Sequence, residues 1–417
     1  MALPVGIFVL ALLAIATERA HRTKVALLGA TLVLLTQSID QDEAIEAIDF
    51  NTIGLLAGMM LMVKLTEVTG VYNYLAIRAG QLSHGRPLAV VTSLAVTTAI
   101  LSAFLDNLTT ILLVVPITFL LADALDIDPI PLIVIEIITS NIGGTATLIG
   151  DPPNIMIAGA TGLSFLDFAV NLAPIAVITL MVVTPALYAA YRPRLQVADK
   201  DRRRVMALDA SRSIEDRDEL VRTVPILVLA ILAFFVHKPL HLEPATVALA
   251  GATVMLLSTR QPVERALAGI EWPTLFFFMG LFVMVGALEA NGAIDEVAQA
   301  IGDITAGDRT AEILGIAWAS ALGSGIVDNI PFTATMIPVV EQLQGDGGDD
   351  AYWWALAIGA CFGGNATLIA AAANVAAAGI AERSGRPIGF MYFLKIGLPV
   401  TALSLLLATA YIALRYL

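Results

Sequence analysis

Three aspartates stand inside long apolar stretches, where a charged side chain is costly unless it has a function. Asp106 and Asp328 each precede an asparagine, in the pairs Asp106-Asn107 and Asp328-Asn329, and Asp151 precedes two prolines. An aspartate within a membrane span costs about 2.5–3.5 kcal/mol on insertion scales, and such residues mark ion or proton pathways. We interpret the three carboxylates as a cation or proton site, with simple capping of a helix as the alternative for each.

The segment 140–154 reads SNIGGTATLIGDPPN and lies within an apolar run at 130–158. Glycine leaves a helix readily, and proline removes a backbone donor. Non-helical backbone at membrane depth persists only where protein or a water-filled cavity covers it. The segment therefore predicts a broken helix that lines a binding site. A related phrase, GGNATLIAAAAN, recurs at 363–374. Its alanine run favours helix and predicts a shorter break, confined to 363–365.

The chain contains an internal duplication. Matching positions are separated by 222 residues or, in the broken helix, by 220: Asp106 with Asp328, Gly58 with Gly280, Ala26 with Ala248, and Gly143 with Gly363. The duplication predicts two repeats, 1–191 (hairpin 88–122, broken helix 130–158) and 223–417 (hairpin 311–343, broken helix 351–378), joined by a linker at 192–222. Asp151 has no acidic counterpart, because position 371 is alanine. This asymmetry favours a proton-carrying role for Asp151.

Composition and charge predict an all-α polytopic membrane protein of 417 residues. The chain is 58% hydrophobic and 14% charged, against about 25% charged in soluble domains. If the hairpins are re-entrant, each repeat crosses the membrane with five helices, so the repeats are inverted. Eighteen of the 23 Lys and Arg residues then fall on the linker's side. The positive-inside rule assigns that side to the cytoplasm and places both termini outside, in a multi-pass protein of the inner cell membrane.

Several function classes are excluded by what the sequence contains. A phosphate-binding GxxxxGK[ST] motif is absent from the sequence, so the chain is not expected to hydrolyse ATP. The single cysteine, Cys361, permits neither an internal disulfide nor a cysteine-rich metal site. We predict no cofactor, metal, nucleic-acid partner or enzymatic activity.

At these residues the chain resembles the ion transporter superfamily, in particular the branch of ArsB arsenite pumps, NhaD-type sodium–proton antiporters and the P protein. Three motifs carry the resemblance: LDNLTT at 105–110, NIGGTATLIGDPPN at 141–154 and DNIP at 328–331. The resemblance implies an elevator-like protein with a scaffold part and a transport part, and a homodimer. By position it implies a substrate- or ion-binding set at the hairpin tips and the two breaks: Asp106, Asn107, Thr110, Gly144, Thr145, Thr147, Asn154, Asp328, Asn329, Gly364, Asn365, Thr367 and Asn374.

The sequence thus predicts a proton-coupled secondary transporter of a small inorganic ion, with protons coupled through Asp106, Asp151 and Asp328. The branch it resembles favours efflux of arsenite or antimonite; sodium–proton antiport is the alternative. Another ion or small-anion permease of the superfamily, or a channel, is also left open. A dicarboxylate cargo is not expected, because the hairpin-tip carboxylates would repel it. We expect the three aspartates to converge on one solvated pocket within the lipid bilayer.

Overall fold

The computed structural model describes residues 2–17, 20–345 and 348–417, and these residues contain helices but no strand. Arg19, one of the Lys and Arg residues counted in the charge assignment, lies outside the described residues. The helices of the first repeat are α1 (Ala2–Ala16), α2 (Arg22–Leu35), α3 (Gln41–Glu46), α4 (Phe50–Glu67), α5 (Val71–Leu82), α6 (Pro87–Phe104), α7 (Asn107–Leu125), α8 (Ile130–Gly144), α9 (Pro152–Thr161) and α10 (Phe165–Tyr191).

The linker carries one short α-helix, α11 (Asp199–Met206), between 3₁₀ turns at Arg192–Arg194 and Ala210–Ser213. The helices of the second repeat are α12 (Arg217–Val236), α13 (Pro244–Ser258), α14 (Val263–Leu267), α15 (Trp272–Ala290), α16 (Ala293–Thr305), α17 (Arg309–Val327), α18 (Asn329–Gln344), α19 (Ala351–Gly363), α20 (Ala372–Arg383) and α21 (Phe390–Arg415). The two repeats therefore follow the same order of ten helices.

The helices are long and apolar enough for a membrane protein. Seven of those described pass a length and hydropathy test for spanning a bilayer, and α4 with α5, bent by 69°, gives an eighth. The helices α1, α8, α13 and α19 are apolar but shorter. This confirms the polytopic α-helical membrane fold. The four hairpin helices α6, α7, α17 and α18 have 16–19 residues each, and their re-entry from one side stays a prediction.

Four helices, which we name the scaffold helices, form two close pairs: α2 with α15 and α4 with α13. The pairs are related by the duplication, and so are their tightest crossings. A Cβ atom on Gly58 would lie 2.7 Å from the carbonyl carbon of Ala248, and one on Gly280 would lie 2.8 Å from that of Ala26. Small residues allow membrane helices to approach this closely. The matched glycine and alanine positions therefore allow the backbones of the two repeats to pack in close contact.

The hairpins and broken helices form a second group, which we name the transport core (α6–α9 and α17–α20). Within each repeat, the first hairpin helix packs along the first half of the broken helix, α6 on α8 and α17 on α19. The second hairpin helix instead contacts the other repeat, α7 on α20 and α18 on α9. Each hairpin therefore packs against the broken helices of both repeats, and protein around a break is what non-helical backbone at membrane depth requires.

The second break is longer than its sequence predicts. The expectation of a break confined to 363–365 is wrong, because α19 ends at Gly363 and α20 begins only at Ala372. Ala371 is extended, with φ −150° and ψ 144°. The Asn374 side chain donates to the carbonyls of Gly364 at 2.7 Å and Thr367 at 2.9 Å. These tertiary hydrogen bonds override the helix propensity of the alanine run, which is a weak preference.

The linker packs against the first repeat. The Glu215 N–H donates to the Thr69 carbonyl at 3.0 Å, and Val205 is fully buried. Helix α12 begins at Arg217, inside the range 192–222 predicted for the linker. The boundaries predicted for the two repeats and the linker stay a prediction.

Candidate functional site

Each break in the transport core closes over an asparagine from the helix that follows it. In the first break, Asn154 Nδ2 donates to the carbonyls of Thr147 at 2.8 Å and Thr145 at 3.2 Å. Asn374 does the same in the second break, as described above. The end of a helix leaves carbonyl groups without partners, and the two fully buried amides satisfy them. The asparagines predicted to bind cargo thus have a structural task as well.

Two predicted threonines tie each break to the neighbouring hairpin. The Thr147 hydroxyl donates to the Ala103 carbonyl in the last turn of α6. The Thr367 hydroxyl donates to the Gly325 carbonyl at 2.7 Å, in the last turn of α17. Since the hydroxyl hydrogens are used in this way, both threonines have only oxygen lone pairs left for a ligand.

A fully buried asparagine that sequence reasoning gave no role, Asn141, joins the two repeats. Its Nδ2 donates to Asn365 Oδ1 at 2.9 Å and to Asn374 Oδ1 at 3.1 Å. Its Oδ1 accepts from Asn107 Nδ2 at 3.3 Å. This network links the first hairpin tip to the second break. The sequence did hold a signal for Asn141. It begins the motif Asn-Ile-Gly-Gly, and the duplicate position of Asn141 holds a different residue, Cys361.

Cys361 makes the matching but weaker contact in the second repeat. Its Sγ lies 3.6 Å from Asn154 Oδ1, to which the thiol donates. The sulfur is fully buried. The two halves of the site are therefore alike in layout and different in strength: an amide network on one side, one thiol contact on the other.

Asp151 is fully buried between the first break and the second hairpin. Its Oδ1 accepts from Asn329 Nδ2 at 3.0 Å. Its Oδ2 has no hydrogen-bonding partner within bonding distance among the described residues, although the Cys361 thiol lies beside it. Asp106 and Asp328 lie within electrostatic range, and no Lys or Arg in the described part of the chain pairs with Asp151. The structure thus joins Asp151 to Asn329, both of which belong to the predicted site.

The two hairpin-tip aspartates have different partners. Asp106 accepts from the N–H of Thr109 at 2.8 Å and from the Thr109 hydroxyl at 2.5 Å. Asp328 accepts from the Ile330 N–H at 3.0 Å and lies 3.4 Å from Arg22 Nη1. The backbone of Asp328 has φ +125°, a region that L-residues enter only where the surroundings hold them there. Capping bonds therefore occur at both tips, and Asp328 has a charge partner in addition.

The expectation of one pocket shared by three aspartates needs correction. A cavity of about 410 Å³ is bordered by Arg22, Leu108 and Asp328, but its described lining contains neither Asp106 nor Asp151. Asp106 is occupied by its capping bonds, and Asp151 is fully enclosed. The three carboxylates are close enough to act on one another, yet only Asp328 borders this cavity.

The other predicted residues are buried, Thr110 in the first turn of hairpin helix α7 and the rest at the breaks. The Thr110 hydroxyl and the Asn365 amide nitrogen have no hydrogen-bonding partner among the described residues. The Thr145 hydroxyl donates to the Asn141 carbonyl at 2.8 Å. Gly144 packs against the first break itself, because a Cβ there would lie 2.7 Å from the Gly150 carbonyl oxygen. Gly364 accepts from Asn374, as described above. Unpaired oxygen and nitrogen atoms at membrane depth are the groups that a small polar cargo could bind.

Comparisons with known proteins agree with this geometry. The model of the CitMHS family, described as citrate transporters, matches residues 12–359. An uncharacterized transporter of Mycobacterium tuberculosis H37Rv is 43% identical, over 99% of this chain and 98% of its own. The human P protein is 33% identical over 96% of this chain, which spans 58% of that longer protein.

One solved structure shares the fold. The YdaH transporter of Alcanivorax borkumensis, whose structure is described as having an unusual topology, superposes with a TM-score of 0.62. The match covers 99% of this chain and 98% of that one at 16% identity. Together with the family match, this confirms the resemblance to the ion transporter superfamily.

Proposed function

We propose a transport mechanism for this chain from one premise: the chain belongs to the CitMHS citrate transporter family. It is a multi-pass membrane transporter, because relatives that it matches over nearly their whole length are named as transporters. We infer that it is a secondary transporter that couples the movement of a small inorganic ion to protons. The observation that carries this inference is Asp151, a carboxylate enclosed at the meeting point of the two repeats.

The surroundings of Asp151 suit a group that gains and loses a proton. One oxygen is held by an amide donor, and the other lacks a hydrogen-bonding partner among the described residues. A carboxylate buried without a cation is costly, whereas the protonated form can donate through its own hydroxyl. Occupation by a proton, or by a cargo that brings positive charge, would relieve that cost. Ionisable residues inside a membrane protein are functional candidates for this reason.

Efflux of arsenite or antimonite is our first proposal for the cargo. Both are small hydroxylated solutes that would bind through amides and hydroxyls of the breaks and the first hairpin. The groups of Asn365 and Thr110 that lack partners among the described residues support this assignment. Sodium–proton antiport is the second proposal. It is favoured by the unpaired oxygens of Asp151 and Thr110, because hard cations prefer oxygen ligands.

Citrate, which the family's description names, belongs among the cargoes to be tested. The two hairpin-tip carboxylates would repel an anion. Arg22 lies 3.4 Å from Asp328 and offsets part of that negative charge. A small anion is therefore the third proposal.

We also propose an elevator-like cycle in which the transport core moves against the scaffold helices. The division of the helices into these two groups supports such a motion. The linker would face the cytoplasm with both termini outside, since 18 of the 23 Lys and Arg residues then lie inside. A homodimer in the lipid bilayer is the expected assembly.

Reconstitution into liposomes that enclose a pH-sensitive dye tests the proposal. With a preset pH gradient, adding arsenite, antimonite, sodium or citrate to the wild-type protein should dissipate the gradient for one of the four. Asp151→Asn should abolish that response while leaving the protein folded. Asp128→Asn is the matched control, because Asp128 is a surface carboxylate 3.7 Å from Arg386 and should respond as the wild type does. An unchanged pH response in Asp151→Asn would refute the role of Asp151.

A further inference from the structure

The two hairpin tips differ at one sequence position that decides what each aspartate can bind. Thr109 offers both its N–H and its hydroxyl to Asp106. The duplicate position is Pro331, and proline has neither group. Asp328 therefore cannot form the same cap. Its backbone bond from the Ile330 N–H, at 3.0 Å, uses Oδ1.

Oδ2 of Asp328 instead faces a cation from the scaffold. Arg22 is the first residue of α2, and its Nη1 lies 3.4 Å from this oxygen. The guanidinium also stands 5.2 Å from the ring centroid of Phe277, on scaffold helix α15. A cation over an aromatic face is attracted by the ring. Arg22 is therefore held by the scaffold while it reaches into the transport core.

The pair is sheltered and lines a cavity. The Arg22 side chain is 23% exposed and that of Asp328 is 9% exposed. Both border the cavity of about 410 Å³, as does His21, and Glu271 lies within electrostatic range of Arg22. A ligand that enters the cavity therefore meets the ion pair directly.

We propose that Arg22 is the resting counter-ion of Asp328, holding the second hairpin to the scaffold until the transported cation or proton displaces it. This rests on the proposed function, because it requires that the transport core moves relative to the scaffold. While Arg22 contacts Oδ2, it neutralises the Asp328 carboxylate and holds the second hairpin to the scaffold helices. The transporter without cargo then does not move between its two states. When a proton or cation neutralises Asp328, Arg22 loses its partner and the tie opens. Arg22 is thus a positioning residue that prevents uncoupled movement.

The inference predicts a gain of leak, which a purely structural role for Arg22 would not produce. In liposomes with a preset pH gradient and no cargo, Arg22→Gln should raise the rate of proton leak about tenfold, the change that about 1.4 kcal/mol gives. Lys24→Gln is the matched control, since Lys24 is an exposed cation in the same first turn of α2 and its loss should leave the leak at the wild-type rate. Adding Asp151→Asn to Arg22→Gln should remove the leak, because Asp151 is the group that we propose carries the proton.

The outcomes separate the inference from the function it rests on. If no cargo dissipates the gradient in the wild-type protein, the proposed function fails, whatever Arg22 does. If the wild type responds and Arg22→Gln leaks no faster than Lys24→Gln, the inference is overturned. Should Arg22→Gln not fold, Arg22→Met serves instead, because it keeps a long apolar stem and removes the charge. A leak above that of Lys24→Gln supports the inference, and an equal leak overturns it.

Discussion

The amide network around Asn141 gives the sharpest prediction about what holds the two repeats together. Replacing Asn141 by alanine removes three hydrogen bonds, of 2.9, 3.1 and 3.3 Å. Such bonds contribute about 0.6 kcal/mol each on average inside membrane proteins. Leaving buried partners unpaired costs about 1–3 kcal/mol more. We expect Asn141→Ala to lower the free energy of unfolding by about 3–5 kcal/mol.

The duplicate position provides a matched control. Cys361 has one contact, from its sulfur to Asn154 Oδ1 at 3.6 Å, and its thiol is a weak donor. Cys361→Ala should therefore cost about 1 kcal/mol or less, mostly through lost packing. Both residues are fully buried, so the comparison isolates the hydrogen bonds.

Reversible unfolding in mixed detergent micelles, followed by circular dichroism, measures both free energies under the same conditions. Hydrogen exchange adds a local readout. Backbone amides in 364–371 should lose protection in Asn141→Ala and keep it in Cys361→Ala, because the Asn141 side chain bonds to the second break and the Cys361 side chain does not. Equal free energies for the two variants, or unchanged exchange in the second break, would show that the network does not stabilise the junction.

Two further substitutions test the scaffold crossing and the tie between break and hairpin. Gly58→Leu should destabilise the fold by about 1–3 kcal/mol or more, the usual cost of overpacking, because a Cβ would lie 2.7 Å from the Ala248 backbone. Gly6→Leu is the control, because a Cβ there meets nothing within 4 Å. Thermal unfolding of the two variants measures the difference. Thr147→Val should lower the free energy of unfolding by about 1 kcal/mol and slow transport in the liposome assay, because it removes the hydrogen bond to the Ala103 carbonyl. Thr147→Ser keeps a hydroxyl and should retain both the stability and the rate. A normal rate in the valine variant would contradict this.

The breaks and hairpin tips could be predicted from sequence because each violates what lipid allows. Asp106 between two apolar helices, and Gly143 to Pro153 within one, leave few structures that satisfy every backbone group. The structure places the first break at 145–151, inside the range that the glycines and prolines indicate. The second break was underestimated because its alanines carry no such signal, and its length depends on a side chain from the following helix.

Partners from distant parts of the chain could not be predicted in the same way. Asn141 meets residues more than 220 positions away, and Arg22 meets Asp328 across 306 positions. These contacts depend on how one repeat crosses the other, which hydrophobic pattern and propensity do not determine. The sequence did contain a clue at the second hairpin, because Pro331 cannot provide the cap that Thr109 provides.

The duplication assigns roles through the positions where the repeats differ. A shared architecture places each pair of duplicate residues in matching surroundings, so a difference in side chain is a difference in task. Three such differences cluster around the breaks and hairpin tips: Asn141 against Cys361, Asp151 against Ala371, and Thr109 against Pro331. The first strengthens one side of the junction, and the second leaves a single enclosed carboxylate. The third removes one capping group from a tip aspartate that contacts a scaffold cation. A symmetric site would bind a proton equally from both repeats. This asymmetric one separates the group that we propose carries the proton from the group that we propose restrains the movement.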